Sequence, residues 1–122
     1  MKRFHLRELA HARAGDKGDI NNVSVIAYAP EYYPIILDQV TSERVHGHFG
    51  DIVKGAVSRY LLPKVHALNF VLEESLGGGV TRSLSLDPHG KSYSALILTM
   101  PIAVPDDIAA KLEAQGRRPI GE

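Results

Sequence analysis

Ten consecutive residues, Arg13-Ala14-Gly15-Asp16-Lys17-Gly18-Asp19-Ile20-Asn21-Asn22, bring together two cations, two carboxylates, two carboxamides and two glycines. Gathered in one short connection, these residue types suit the holding of an anion. Arg13 and Lys17 supply charged donors, and backbone N–H groups around Gly15 and Gly18 supply neutral ones. Both glycines tolerate positive φ, so the chain can turn tightly and send its charged side chains in different directions. A plain link between strands needs only roughly two to five turn residues. Asp16 and Asp19 offset the two cations, and either orient Arg13 and Lys17 or cap nearby backbone N–H groups. The competing reading is a solvated loop whose charges pair with one another.

The other clusters carry less. Gly77-Gly78-Gly79 lacks the G-x-x-x-x-G-K-[ST] pattern of a phosphate loop, and a strand-like run follows it. A helix end leading tightly into a strand accounts for it more simply. Asp16, Asp19 and Asn21 depart from calcium-loop spacing and no bidentate glutamate follows, so no metal site is expected. His46 and His48 leave different sides of a helix and make a poor metal pair. His66, close to Asn69, has the chemistry of a general acid or base, and equally that of a structural hydrogen-bonder.

Composition narrows the class. A chain of 122 residues suits one domain. Lys+Arg and Asp+Glu both number 14, which weighs against nucleic-acid binding and in favour of self-association or a protein partner. The absence of cysteine excludes disulfides and thiolate chemistry. No apolar run resembles a secretory signal or a membrane span, so a cytoplasmic location is expected.

The elements that must position these residues read as follows. Residues 3–13 alternate as a strand, with Phe4, Leu6, Ala10 and Ala12 on one side and His5, Arg7, His11 and Arg13 on the other. Glu8 and Leu9 break the alternation, as a β-bulge near Glu8 would. Residues 23–28 read as a strand covered on both faces or nearly so. Tyr33, Ile36, Leu37 and Val40 have helical spacing, with Pro34 at the first position. Thr41 or Ser42 caps a second helix, whose stripe of Val45, Phe49, Ile52 and Val53 ends at Gly55. Residues 57–62 form a strand closed by Pro63. Residues 66–76 fit both a helix ending at the triple glycine and a buried strand, and the helix is the preferred expectation.

Residues 80–86 and 93–100 read as a hairpin joined by Asp87-Pro88-His89-Gly90. Pro105-Asp106-Asp107 opens a last helix with Ile108 and Leu112 inside and Gly116 as its stop, leaving 116–122 as a flexible tail. Glu8 and Arg82 are each the one charge on an otherwise apolar strand side; they either pair or are turned outward by bulges. Five strands with two or three helices make an α+β domain.

Two stretches carry a family resemblance. Leu9-Ala10-His11-Ala12-Arg13-Ala14-Gly15-Asp16-Lys17-Gly18-Asp19, followed by Asn22-Val23-Ser24-Val25-Ile26-Ala27, resembles one signature of the AtuA-like family, named for acyclic terpene utilisation. His66-Ala67-Leu68-Asn69-Phe70-Val71-Leu72 with Gly77-Gly78-Gly79-Val80-Thr81-Arg82-Ser83-Leu84 resembles the other. The resemblance spans residues 4–105 in register, with Asp19 where the motif also accepts Asn.

It implies a ferredoxin-like two-layer sandwich, a mainly antiparallel sheet with helices on one face, as a single domain over 1–122. Such a core has four strands and two helices, so one of the five strands is expected to be peripheral. The resemblance also implies a setting, bacterial breakdown of citronellol- and geraniol-type terpenoids through acyl-CoA intermediates. There the small domain occurs fused behind a larger AtuA-like domain or as a separate protein beside one, the form this chain resembles. An accessory or small subunit follows, partnered by a larger AtuA-like subunit, by itself, or by both, with a CoA-type small molecule as ligand. Two other functions compete: a self-contained small enzyme acting on a CoA thioester or hydroxyacyl substrate, and a structural oligomerisation module. The resemblance names neither a reaction nor a cofactor. If its two signatures meet in space, the anion site comprises Arg13, Gly15, Asp16, Lys17, Gly18, Asp19 and Asn22, completed by His66, Asn69 and Arg82.

Overall fold

The computed structural model describes residues 1–17, 20–74 and 91–121, without the side chains of 16, 17, 91 and 92. The N-terminal run is two strands rather than one. β1 (Lys2–His5) passes through a 3-10 turn at Leu6–Glu8 into β2 (Ala10–Lys17). Leu9 N donates to Leu6 O at 2.9 Å and closes the turn. The turn resets the inside–outside phase, so Leu6 and Leu9 are both fully buried. The irregularity at Glu8 and Leu9 is therefore this turn, not a bulge within one strand.

β2 and β3 (Ile20–Ala27) form one antiparallel hairpin, with Ala10 opposite Ala27 and Lys17 opposite Ile20. The charge-dense stretch is thus mainly strand, which corrects the expectation of a connecting loop over 13–22. β4 (Val57–Leu62) and β5 (Ala67–Leu72) complete a sheet of order β2-β3-β5-β4, antiparallel throughout. Residues 67–72 are therefore strand, where a helix was preferred. Leu68 and Leu72 satisfy both periods, Phe70 satisfies only that of a strand, and all three are fully buried. Partners on both sides of β5 decide the matter, and local spacing does not register them.

Between β3 and β4 lie α1 (Tyr33–Gln39) and α2 (Ser42–Phe49). Pro34 sits in the first turn of α1 as its missing N–H allows. Thr41 caps α2, its hydroxyl accepting from Arg44 N at 3.1 Å. Gly50, with φ of 61°, ends α2 earlier than the expected Gly55. Gly55 is required for another reason: a Cβ there would stand 2.7 Å from Glu73 O. His46 and His48 bind separate carbonyls, Val53 O at 3.2 Å and Leu96 O at 2.9 Å.

The segment expected as a strand over 93–100 is instead α3 (Lys91–Ile97), followed by β6 (Pro101–Val104) and α4 (Asp106–Ala114). Tyr93, Ile97 and Met100 are buried at helical spacing, and Pro101 begins a strand where it was read as ending one. β6 pairs with β1, Phe4 opposite Ile102. The strand at 80–86, its turn, the triple glycine and Arg82 lie outside the described residues. Glu8, expected to answer Arg82, accepts from Arg117 Nη1 at 3.2 Å. The segment after Gly116 is tied along β1, Ile120 N donating to Arg3 O at 2.7 Å with Pro119 buried.

β3 and β4 are parallel with β5 between them, and α1 and α2 make the crossover, a split β-α-β unit. α2 packs on β4 while α3 packs on β2 and β3. The core between the layers joins Val23, Val25, Leu68, Phe70 and Leu72 to Val45, Phe49, Tyr93 and Ile97. Burial of such side chains against helices on one face is the main source of stability for this layer arrangement.

Candidate functional site

Strand periodicity sends alternate residues of the four-stranded sheet to opposite faces. One face meets the helices. On the other, the ladder sets Arg13, Ser24, Asn69 and Tyr60 in a single row across all four strands. Gly15, Asn22, Val71 and Ser58 form the row on one side, and His11, Ile26, Ala67 and Leu62 the row on the other. No described element covers this face.

The central row is polar and partly preorganised. Ser24 Oγ donates to Asn69 Oδ1 at 3.0 Å, which fixes the carboxamide while its NH2 group takes no part in that bond. Arg13 is exposed and makes no ion pair among the described residues. Neighbouring strands are about 5 Å apart, so the Arg13 side chain is long enough to reach over Ser24 toward Asn69. An anion seated above Ser24 would therefore meet a guanidinium from one side and an amide donor from the other. Gly15 adds no side chain beside Asn22, and nothing lies within 4 Å of where its Cβ would be.

The predicted residues divide unequally. Arg13, Gly15, Asn22 and Asn69 come together on the open face. The backbones of Asp16 and Lys17 stand opposite Asn21 and Ile20 at the hairpin end. Gly18, Asp19 and Arg82 lie outside the described residues. His66 is not brought to the row. It takes the left-handed conformation after the 3-10 turn Pro63–Val65, and its ring meets Tyr33 of α1 edge-on at 5.8 Å. The Tyr33 hydroxyl donates to Ala67 O at 3.0 Å, and His66 O accepts from Ala27 N at 2.9 Å. These contacts pin α1 to the sheet end, a structural role.

Besides Ser24 and Tyr60 of the central row, two further residues escaped the sequence reading as site members. His11 lies on the same face of β2 as Arg13 and stacks on Tyr28 at 5.4 Å. The Arg117 guanidinium rests 5.4 Å from the Tyr28 ring centre while bonded to Glu8. Period two along 10–17 was the available signal. The other residue is Asn21, fully buried on the helix side, whose amide nitrogen and oxygen both lack a hydrogen-bond partner among the described residues. Its signal was a carboxamide in phase with Val23 and Val25. Leaving such groups unmet costs about 1–3 kcal/mol each, and native interiors hold few of them.

A split β-α-β order, an antiparallel sheet and helices layered on one face define a ferredoxin-like α+β domain. The chain belongs to the AtuA ferredoxin-like domain family, whose model matches residues 4–103. Membership makes it a component of AtuA-like systems, and the matched span takes in all four strands of the larger sheet, the hairpin among them, and β6 as far as Ala103. No curated protein and no solved structure matches the chain. Among the described residues no helix is long and apolar enough to cross a membrane.

Proposed function

We propose that this chain is an accessory or small subunit of an AtuA-like catabolic system handling terpenoid or other acyl-CoA intermediates. Its open sheet face binds the anionic part of such a ligand. The observation carrying this reading is the row Arg13, Ser24, Asn69: a cation without a described ion-pair partner, a hydroxyl and a fixed carboxamide on one face that no described element covers. The phosphates of a CoA-type molecule match the forked donors of an arginine. Tyr60 at the end of the row and the His11–Tyr28 stack offer flat apolar surface to the remainder. The exposure of the face favours binding over a self-contained enzyme, because stabilising a thioester transition state calls for donors in a water-excluded site. The larger AtuA-like subunit is the natural cover for a ligand held here.

Calorimetric titration with CoA tests the ligand, and affinity capture from the native host tests the partner. Arg13→Ala is expected to weaken CoA binding by about 1–3 kcal/mol, the scale of one charge-assisted hydrogen bond, at an unchanged melting temperature. Lys17→Ala is expected to fall in the same range. A wild-type chain that binds no CoA and recovers no larger AtuA-like protein ends the reading.

A further inference from the structure

The edges of the two sheets are not equally protected. The outer edge of β6 is occupied by side chains: Gln39 Nε2 donates to Ala103 O at 2.6 Å, and its Oε1 accepts from Ala103 N at 2.8 Å. Arg44 Nη2 donates to Pro101 O at 2.9 Å beside them. The outer edge of β1 is taken by Ile120 N. β2 carries Arg13 and Lys17, charges of the kind that discourage strand pairing. Among the described residues β4 has none of these devices and no strand on its outer side. It is an edge strand whose second half presents Tyr60, Leu61 and Leu62, 54%, 50% and 43% exposed, with Val65 at 59% just beyond. Its one charged residue, Arg59, turns away from the edge and donates to Leu37 O at 2.7 Å and Val40 O at 3.0 Å, closing the end of α1.

We infer that β4 pairs antiparallel with β4 of a second copy about a two-fold axis through Tyr60, joining the two four-stranded sheets into one. The backbone fixes this register. Glu73 N donates to Ala56 O at 3.0 Å, so Ala56, and with it Ser58, Tyr60 and Leu62, turn their backbone groups toward β5. Val57, Arg59 and Leu61 then direct theirs to the free edge. A two-fold axis normal to the sheet must place residues of equal parity opposite each other if the faces are to match.

Centring on Arg59 sets two arginines of one face against each other. Centring on Leu61 runs Arg59 against Pro63, which has no N–H, and leaves Leu61 against Leu61 as the one fully hydrogen-bonded pair, whereas centring on Tyr60 sets only the strand-end Val57 against Pro63. Registers nearer Val57 leave Leu61 and Leu62 unpaired. Centring on Tyr60 makes Arg59 and Leu61 of each copy exchange both backbone hydrogen bonds with Leu61 and Arg59 of the other. It brings Tyr60 against its own counterpart, Leu62 against Ser58, and no charge against a like charge. An even balance of 14 cationic and 14 anionic residues adds no net repulsion between copies. The inference does not depend on the ligand proposed above.

Because the chain has no cysteine, single substitutions report single contacts. Tyr60 would form a pair not hydrogen-bonded to its counterpart, with Cα atoms about 4.5 Å apart, a separation a disulfide spans. Under a mild oxidant, Tyr60→Cys is expected to yield a covalent dimer. Ser58→Cys and Leu62→Cys should stay monomeric alone on a non-reducing gel and link when mixed. Light scattering of the wild-type chain should give a dimer mass, and Tyr60→Lys should weaken the dimer at least about tenfold with unchanged circular dichroism. A wild-type chain that is monomeric at about 0.1 mM, a concentration that saturates micromolar association, overturns the inference. So does a dimer that survives Tyr60→Lys and fails to link through either the Tyr60→Cys or the mixed variants, because a different surface, or a different partner on this edge, is then at work.

Discussion

The two faces of the four-stranded sheet are written by the same strands in alternate residues, yet they serve different ends. In β5, Leu68, Phe70 and Leu72 enter the core, while Asn69 and Val71 between them remain partly open. In β3, Val23 and Val25 are fully buried, while Asn22 is exposed and Ser24 holds the Asn69 carboxamide. Stability is thus concentrated on one parity and candidate recognition on the other. A sheet built this way can vary one face with little consequence for the other, provided the alternation is kept. Asn21 is the exception, a polar group on the face that is otherwise apolar.

The sharpest way to break the comparison is to truncate neighbours that face opposite ways. Phe70→Ala removes a fully buried ring from beside Val23 on the helix side of the sheet. It is expected to lower unfolding free energy by about 3–5 kcal/mol, read from urea denaturation. Asn69→Ala, one residue away, loses a single part-buried hydrogen bond and is expected to cost about 1 kcal/mol. Equal costs would mean that the open face is covered in solution by something that makes it part of the core.

A smaller effect of opposite sign sharpens the exception. Asn21→Leu replaces an amide without described partners by an apolar group of similar size. Relieving an unmet buried carboxamide is expected to stabilise by about 1–3 kcal/mol, and thermal melting registers this as a rise of several degrees. A fall in melting temperature would show that the amide is bonded in solution. A rise accompanied by lost CoA binding would show that the amide is held ready for a ligand at some cost in stability, as functional groups often are.

Much of this contrast was legible in the sequence, and the gaps have physical causes. The α2 cap, which falls on Thr41 of the two candidates, Pro34, one position later in α1 than expected, and the stop at Gly116 are local signals that the structure places nearly as read. Residues 67–72 were misread because Leu68 and Leu72 fit both periods; only pairing with β3 and β4 decides, and that is a long-range fact. The nearly continuous apolar run 95–98 left α3 equally ambiguous, and Pro101 marked a boundary without saying which element it bounded. At the candidate site, Arg13, Gly15, Asn22 and Asn69 were named from residue type and family signature, and the ladder sets them on one face. Treating 13–22 as a loop hid the alternation that separates Asn21 from Asn22 and sets His11 beside Arg13. His66 looked chemical from its neighbours in sequence, but its left-handed backbone sends it to Tyr33.

The smallest expected effect lies on the helix layer, at a pair that touches neither sheet face. Lys111 of α4 donates to Glu31 Oε2 at 2.6 Å, tying that helix to the turn before α1. The hydrogen bond to Glu31, and then the glutamate charge, raise the lysine pKa above its ordinary value of 10.5. The folded state therefore holds this proton more tightly than the unfolded chain. The pair's contribution is fully present below 10.5 and is lost as pH rises through the folded pKa. Both side chains are well exposed, so solvent and salt screen most of the attraction. Lys111→Met should lower the melting temperature only marginally at neutral pH and low salt. The difference from wild type should vanish in about 1 M salt, where the Debye length falls to about 3 Å, and again at strongly alkaline pH. Calorimetric scans across those conditions check the sign. A large loss insensitive to salt would show that the lysine stem packs on the helix layer, so that stability on that side of the sheet reaches further toward solvent than the buried residues alone define.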